Sequence, residues 1–189
     1  MRYEKGHKEA SRRRIMEVAA ERFRDDGIAA TGLAGIMSDA GLTNGAFYPH
    51  FQSKAELVRE TVCTALDDQA ALLKQILAAG GLDAAIAAYL SAEHRDNPAK
   101  GCVSAALLPE IARQPQATRR VFTERFQAQV RAVAAALPPR TKDPESVALS
   151  IIASLIGTLE LARAVKGTAL SDRILAAGVN AAQALARGA

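Results

Sequence analysis

Apolar residues recur along this chain at the three- and four-residue spacing that places them on one face of a helix, and no stretch alternates as a half-buried strand would. Ile15, Val18, Ala19 and Phe23 predict a first helix, with Arg12, Arg13, Glu17 and Glu21 on its other faces. It is expected to stop at Asp25-Asp26-Gly27, where glycine accepts a left-handed cap. Leu33, Ile36, Met37 and Ala40 predict a second helix that ends at Gly41, with Thr31 as its N-cap. A very short third helix follows the glycine turn, capped by Thr43. It carries Thr43, Asn44, Tyr48, His50 and Lys54 beside the apolar Leu42, Phe47 and Phe51. A helix of about two turns builds little core but can present polar groups to a groove.

From Lys54 a long helix is predicted through Leu57, Val58, Thr61, Val62 and Ala65 until Gly80-Gly81 breaks the pattern. Leu82 to Glu93 form the next helix, closed by Asp96-Asn97-Pro98. A further one runs from Gly101-Cys102 to Arg113 with Pro109 as an internal kink. Pro115 opens a helix bearing Phe122, Phe126, Val130, Val133 and Leu137. After Pro144, Val147, Ile151, Ile152, Leu155, Ile156 and Leu159 make a helix apolar on nearly every side, which must be covered all round. A last helix spans 171–186. The predicted class is all-α, and no Gly- or Pro-rich linker marks a domain boundary.

Composition sharpens this picture at one point. The formal net charge is +4. The whole excess lies in residues 1–14, where Arg2, Lys5, Lys8, Arg12, Arg13 and Arg14 face only Glu4 and Glu9. Such an arm suits phosphates, with salt-dependent binding, or else is a solvated terminus. Two cysteines, Cys63 and Cys102, are too few for a disulfide framework and suggest a reducing, cytoplasmic setting. The longest uncharged run, 146–159, is short for a bilayer span, and the opening residues lack the apolar core of a signal peptide. His7, His50 and His94 have no metal-ligand spacing, and there is no phosphate-cradling loop or nucleophile elbow. Neither a metal, a cofactor nor an enzymatic activity is expected.

The stretches Thr31-Gly32-Leu33-Ala34-Gly35-Ile36, then Gly41-Leu42-Thr43-Asn44-Gly45-Ala46-Phe47-Tyr48-Pro49-His50-Phe51, then Ser53-Lys54-Ala55-Glu56-Leu57, resemble the DNA-binding domain of the TetR family of repressors. The resemblance covers about the first third of the chain. It implies a three-helix helix-turn-helix DNA-binding domain at 1–55 and a helical ligand-binding and dimerisation domain at 56–189. The sequence departs from the family pattern at Gly35, where an acidic residue is common, and at Pro49, which removes a backbone donor and suggests that the reader helix tightens by Tyr48.

Carried over position by position, the resemblance implies that Asn44 reads a base edge and that Thr43 and Ala46 touch a base or a thymine methyl. Gly45 would allow close approach. Tyr48, His50 and Lys54 would hold phosphates, and Thr31 could add another phosphate contact. The family's homodimer would pair the apolar helix after Pro144 and the long helix before it with their copies. Gly101-Cys102-Val103-Ser104-Ala105-Ala106-Leu107 is similar to the segment of a NemR-type branch in which a cysteine at a helix start senses electrophiles, so Cys102 is a sensor candidate beside the simpler reading of a small buried apolar residue. Tyr89, Glu93, His94, Glu110, Arg113, Glu160 and Arg163 could line a ligand pocket or form ordinary salt bridges, so the ligand-binding residues stay open.

The expected function is a regulator, most simply a repressor, that binds a palindromic operator in double-stranded DNA as a homodimer and is released by a small-molecule effector. The alternative is a helical enzyme or sensor with non-specific DNA association.

Overall fold

The computed structural model describes residues 5–188, all in helices, turns and loops. Arg2 and Glu4 of the basic arm, and the side chain of Lys5, lie outside what is described. In chain order the elements are α1 (Lys5–Asp26), α2 (Leu33–Asp39), a 3-10 turn (Asn44–Ala46), α3 (Lys54–Tyr89), α4 (Ala92–Asp96), a second 3-10 turn (Pro98–Lys100), α5 (Val103–Ile111), α6 (Gln116–Ala135), α7 (Pro144–Ala164) and α8 (Ala169–Arg187).

Each boundary has a local cause. Gly27, at φ +88°, ends α1 in the left-handed region, its N–H bonded to the Phe23 carbonyl at 3.0 Å. Ser53 caps α3 by accepting the Glu56 N–H at 3.1 Å, while the Glu56 carboxylate accepts the Gln52 N–H at 2.6 Å. This is a reciprocal arrangement close to a capping box. Gly81, at φ 69° and ψ −166°, interrupts α3 in a conformation that only glycine adopts readily, as the double glycine suggested. The helix expected over 82–93 is shorter. It leaves helical geometry at Leu90, and Ser91 starts α4 by accepting the His94 N–H at 3.1 Å.

Three groups of buried side chains hold the bundle. The first joins Ile15, Phe23, Ile36, Met37, Phe47 and Phe51 to Leu57, Val58 and Val62 of α3 and to Val103, Leu107 and Ile111 of α5, so this core continues past residue 55. A second joins Ile86 to Val130, Val133 and Leu137 of α6, Ala148, Ile151 and Ile152 of α7 and Ala182 and Ala186 of α8. The third, around Leu90, Cys102, Ala105, Leu159 and Leu175, lies at the other end of α5. Helix α5 therefore contributes to both the first and the third group.

The residues expected to face a second copy need a correction. Val130, Val133 and Leu137, together with Ile151 and Ile152, are buried within the one chain, because α6 packs between α3 and α7. Leu149 and Leu161 of α7 and Leu170 and Leu185 of α8 are the large apolar residues left outside on these two helices. By length and composition alone, α3 and α7 are apolar enough to cross a membrane, which the shorter uncharged run had not suggested. Both pack against α6 and α8, as core helices do.

Candidate nucleic-acid interface

The reader segment is built from two buried aromatic rings. Phe47 and Phe51 are each 1% exposed and stack with centroids 5.6 Å apart, anchoring the turn in the first core. Leu42 and Ala46 pack beside them as partly buried residues. The rest of the segment faces outward: Thr43, Asn44 and Gly45 are exposed, and Tyr48 is 69% exposed with its ring edge-on to Phe47. A tyrosine held this open by a buried neighbour has its hydroxyl free for a partner.

The segment is tighter than two α-helical turns. Ala46 N–H bonds the Thr43 carbonyl at 2.9 Å and Phe47 N–H the Asn44 carbonyl at 3.2 Å, a 3-10 pattern; His50 N–H then bonds the Phe47 carbonyl at 2.9 Å. Pro49 has no N–H to offer the Gly45 carbonyl, so the segment cannot carry an unbroken α-helical ladder. Thr43 takes the cap position, but its side chain makes no capping hydrogen bond. That hydroxyl remains outside the segment's own bonding.

Two further residues stand differently from expectation. Thr31 is 2% exposed and its hydroxyl donates to the Gly27 carbonyl at 2.6 Å, so it braces the loop between α1 and α2. Gly32 caps α2 instead. The Lys54 ammonium donates to the Ile28 carbonyl at 2.5 Å, which occupies one of its three hydrogens. His50 is half-buried with Nδ1 unpartnered. Burial, and then the nearby Lys8 and Arg12 charges, push its pKa below the ordinary imidazole value.

The arginines of the basic arm come up beside the turn, and Arg22, which nothing in its spacing marks in the sequence, joins them from the same helix. The Arg12 guanidinium lies over the Phe51 ring at 4.8 Å and is ion-paired with Glu60. Arg14 lies over the Gly41 turn, and Arg13 and Arg14 are both exposed. Arg22 pairs with Asp39 at 2.9 Å, and a Cβ at Gly35 would stand 2.3 Å from Arg22 Nη1. The glycine at this position therefore lets an arginine from α1 cross α2.

Away from the reader, a cavity of about 50 Å³ lies between α3, α6 and α7, lined by apolar residues such as Leu82, Ile86, Val133 and Leu155, with Tyr89 and Gln129 as its polar members. The Tyr89 hydroxyl is buried without a hydrogen-bond partner. Burial, and then the neighbouring Cys102, raise its pKa; the thiol acts on it electrostatically without the alignment of a good hydrogen bond. The Tyr89 ring packs edge-on to His94 at 4.7 Å. His94 Nδ1 meets the Tyr89 carbonyl at 2.7 Å and Nε2 accepts the Cys102 N–H at 3.0 Å. Cys102 caps α5 and is 8% exposed. An open groove of about 850 Å³ between α1 and the first arm of α3 mixes Arg12, Arg13 and Arg24 with Glu9, Glu17 and Asp68.

Two helices joined by a tight glycine turn, the second side braced by buried rings and leaving polar groups outward, define a helix-turn-helix protein with a helical body. Residues 15–61 match the family model of bacterial regulatory proteins, tetR family. This first part of the chain is thus similar to the DNA-binding domain of TetR-family transcriptional regulators. It is 34% identical over 73 residues to the HTH-type transcriptional repressor KstR2 of Rhodococcus jostii, covering 39% of this chain and 36% of that protein. It is 44% identical over 59 residues to the HTH-type transcriptional regulator TtgR of Pseudomonas putida, covering 31% of this chain and 28% of that one. The chain thus spans about a third of the length of the curated relatives it matches. Its fold is similar to the crystal structure of the reduced form of E. coli NemR, with a TM-score of 0.75, 17% identity, and coverage of 90% of this chain and 96% of that one.

Proposed function

We propose that the protein is a transcriptional repressor that binds a palindromic operator in double-stranded DNA as a cytoplasmic homodimer and lets go when a small molecule enters the helical body. The observation that carries this reading is the turn from Thr43 to Tyr48, exposed on its polar side and anchored by Phe47 and Phe51 on the other. Asn44 stands at its first residue, where an amide can pair bidentately with adenine. Thr43, Gly45 and Ala46 allow close approach to base edges. Tyr48, His50 and the free donors of Lys54, with Arg13 and Arg14, hold phosphates on either side. We place the reader at 1–55 and the effector and dimer functions at 56–189.

The dimer reading draws on α7 and α8 together. Their outward faces carry Leu149, Leu161, Leu170 and Leu185 between alanines, a surface suited to a second copy of itself. The cavity beside Tyr89 is the proposed effector site, and Cys102, a neighbour of the Tyr89 side chain, is the candidate for a covalent effector. Buried as it is, the thiol would have to become accessible for adduct formation, and a Cys102→Ser variant that keeps its response to thiol-reactive compounds would remove it from the mechanism.

The reading is tested by mobility shifts with a DNA site selected by the protein and with a scrambled control. Asn44→Ala should lose discrimination between them by about 1–3 kcal/mol while retaining weak binding to both. Equal affinity of the wild-type protein for both duplexes would overturn sequence-specific regulation.

A further inference from the structure

Helix α5 packs in two cores at once: Val103, Leu107 and Ile111 join the reader's core, while Cys102 and Ala105 join the group around Leu90 and Leu159. At its far end, the Glu110 carboxylate reaches the loop between α1 and α2. Oε1 accepts the Ile28 N–H at 3.1 Å and Oε2 accepts the Ala29 N–H at 2.8 Å. Two consecutive N–H groups converging on one carboxylate make a charge-assisted, two-point contact. Gly27 makes room for it, since a Cβ there would stand 2.6 Å from Oε1. On the other side of the same residue, Lys54 Nζ donates to the Ile28 carbonyl. Ile28 is thus gripped through both its N–H and its C=O.

A second strut runs parallel to this one. Arg24, in the last turn of α1, donates from Nε to the carbonyl of Ala99 at 2.6 Å, in the 3-10 turn that leads to Gly101 and Cys102. Pro109, immediately before Glu110, lacks the N–H that would stiffen the end of α5.

We infer that Glu110 is a positioning residue that fixes the angle of the reader against the helical body. The inference rests on the DNA-binding reading above. It touches no base or phosphate itself. A carboxylate is required because glutamine would turn a donor toward one of the two N–H groups.

The test uses the full chain and a palindromic duplex selected by the wild-type protein, together with versions whose centre is lengthened or shortened by one base pair. Glu110→Gln should raise hydrogen exchange at the Ile28 and Ala29 amides by about tenfold or more, leaving α7 and α8 amides unchanged. It should also reduce the preference for the correct spacing by roughly fivefold, because a loosened reader tolerates both spacings, whereas Asn44→Ala should weaken binding and keep the spacing preference. Should Glu110→Gln fail to fold, Glu110→Asp, whose shorter side chain cannot reach both N–H groups, is read in the same way. Unchanged exchange at both amides overturns the contact. Raised exchange with an unchanged spacing preference overturns the positioning role. A wild-type protein that selects no sequence overturns the DNA reading and the positioning role with it, while exchange still reports whether the contact exists.

Discussion

His94 shows how one side chain ties two elements together. With Nδ1 on the Tyr89 carbonyl and Nε2 accepting the Cys102 N–H, the ring is held neutral, as a protonated Nε2 could not accept that bond. Burial lowers its pKa most; the Tyr89 carbonyl opposes this, and the Arg163 charge lowers the pKa further. The folded value thus lies below the ordinary imidazole value of 6.5, so the unfolded chain takes up a proton first as pH falls. Stability present above that pH is lost as pH drops through the folded pKa, with half-buried His50 adding in the same direction. Urea unfolding should give a lower stability at acid pH than at neutral pH, and His94→Gln should flatten the difference; an identical pH dependence in the variant would contradict the assignment. The neutral, doubly bonded ring was not legible from sequence. His94 is a lone histidine on a helix, and only the fold brings Tyr89 and Cys102 to its two nitrogens. The same limit applies to Thr31: a threonine before an apolar run reads as a cap, but its hydroxyl finds the Gly27 carbonyl inside the loop and Gly32 takes the cap.

At the scale of elements, sequence served best where periodicity and helix breakers agree. The breaks at Gly27, Gly81 and Pro115 fall where glycine or proline demands them, and the buried faces of α1 and α2 are the periodic residues. It served less well where two helices compete for one apolar face. α6 and α7 looked free to meet a second copy because nothing local says that α3 and α8 already cover them. The approach of α7 to α8 is set by Gly178, where a Cβ would stand 2.3 Å from Thr158 Cγ2. Thr158 is short and branched and cannot swing away. Gly178→Ala should therefore destabilise the protein by about 1 kcal/mol, because overpacking outweighs the gain in helix propensity. Thermal unfolding is the check, and a stabilised variant would show that the two helices separate freely.

For the whole molecule, the proposed pairing of two copies rests on the outer face of α7 and α8. Leu161 is 62% exposed, so a charge there leaves the fold intact while opposing burial against a second copy. Leu161→Glu should shift sedimentation from dimer to monomer, and an unchanged dimer would move the interface elsewhere. Ile152, by contrast, is 3% exposed, and a charge there would break the subunit itself. The resemblance and the turn from Thr43 to Tyr48 were legible in sequence because the motif is local and ordered; the exposed leucines of α7 and α8 were not, because they are what remains after the core is filled. The account stands or falls on a symmetric DNA site. Selection of duplexes from a random pool by the full chain, followed by footprinting of both strands, tests it most directly. It predicts enrichment of a two-fold symmetric sequence, with half-sites in major grooves one helical turn, about 10 base pairs, apart and both protected. A pool without enrichment, or an asymmetric site protected over one half alone, would contradict it.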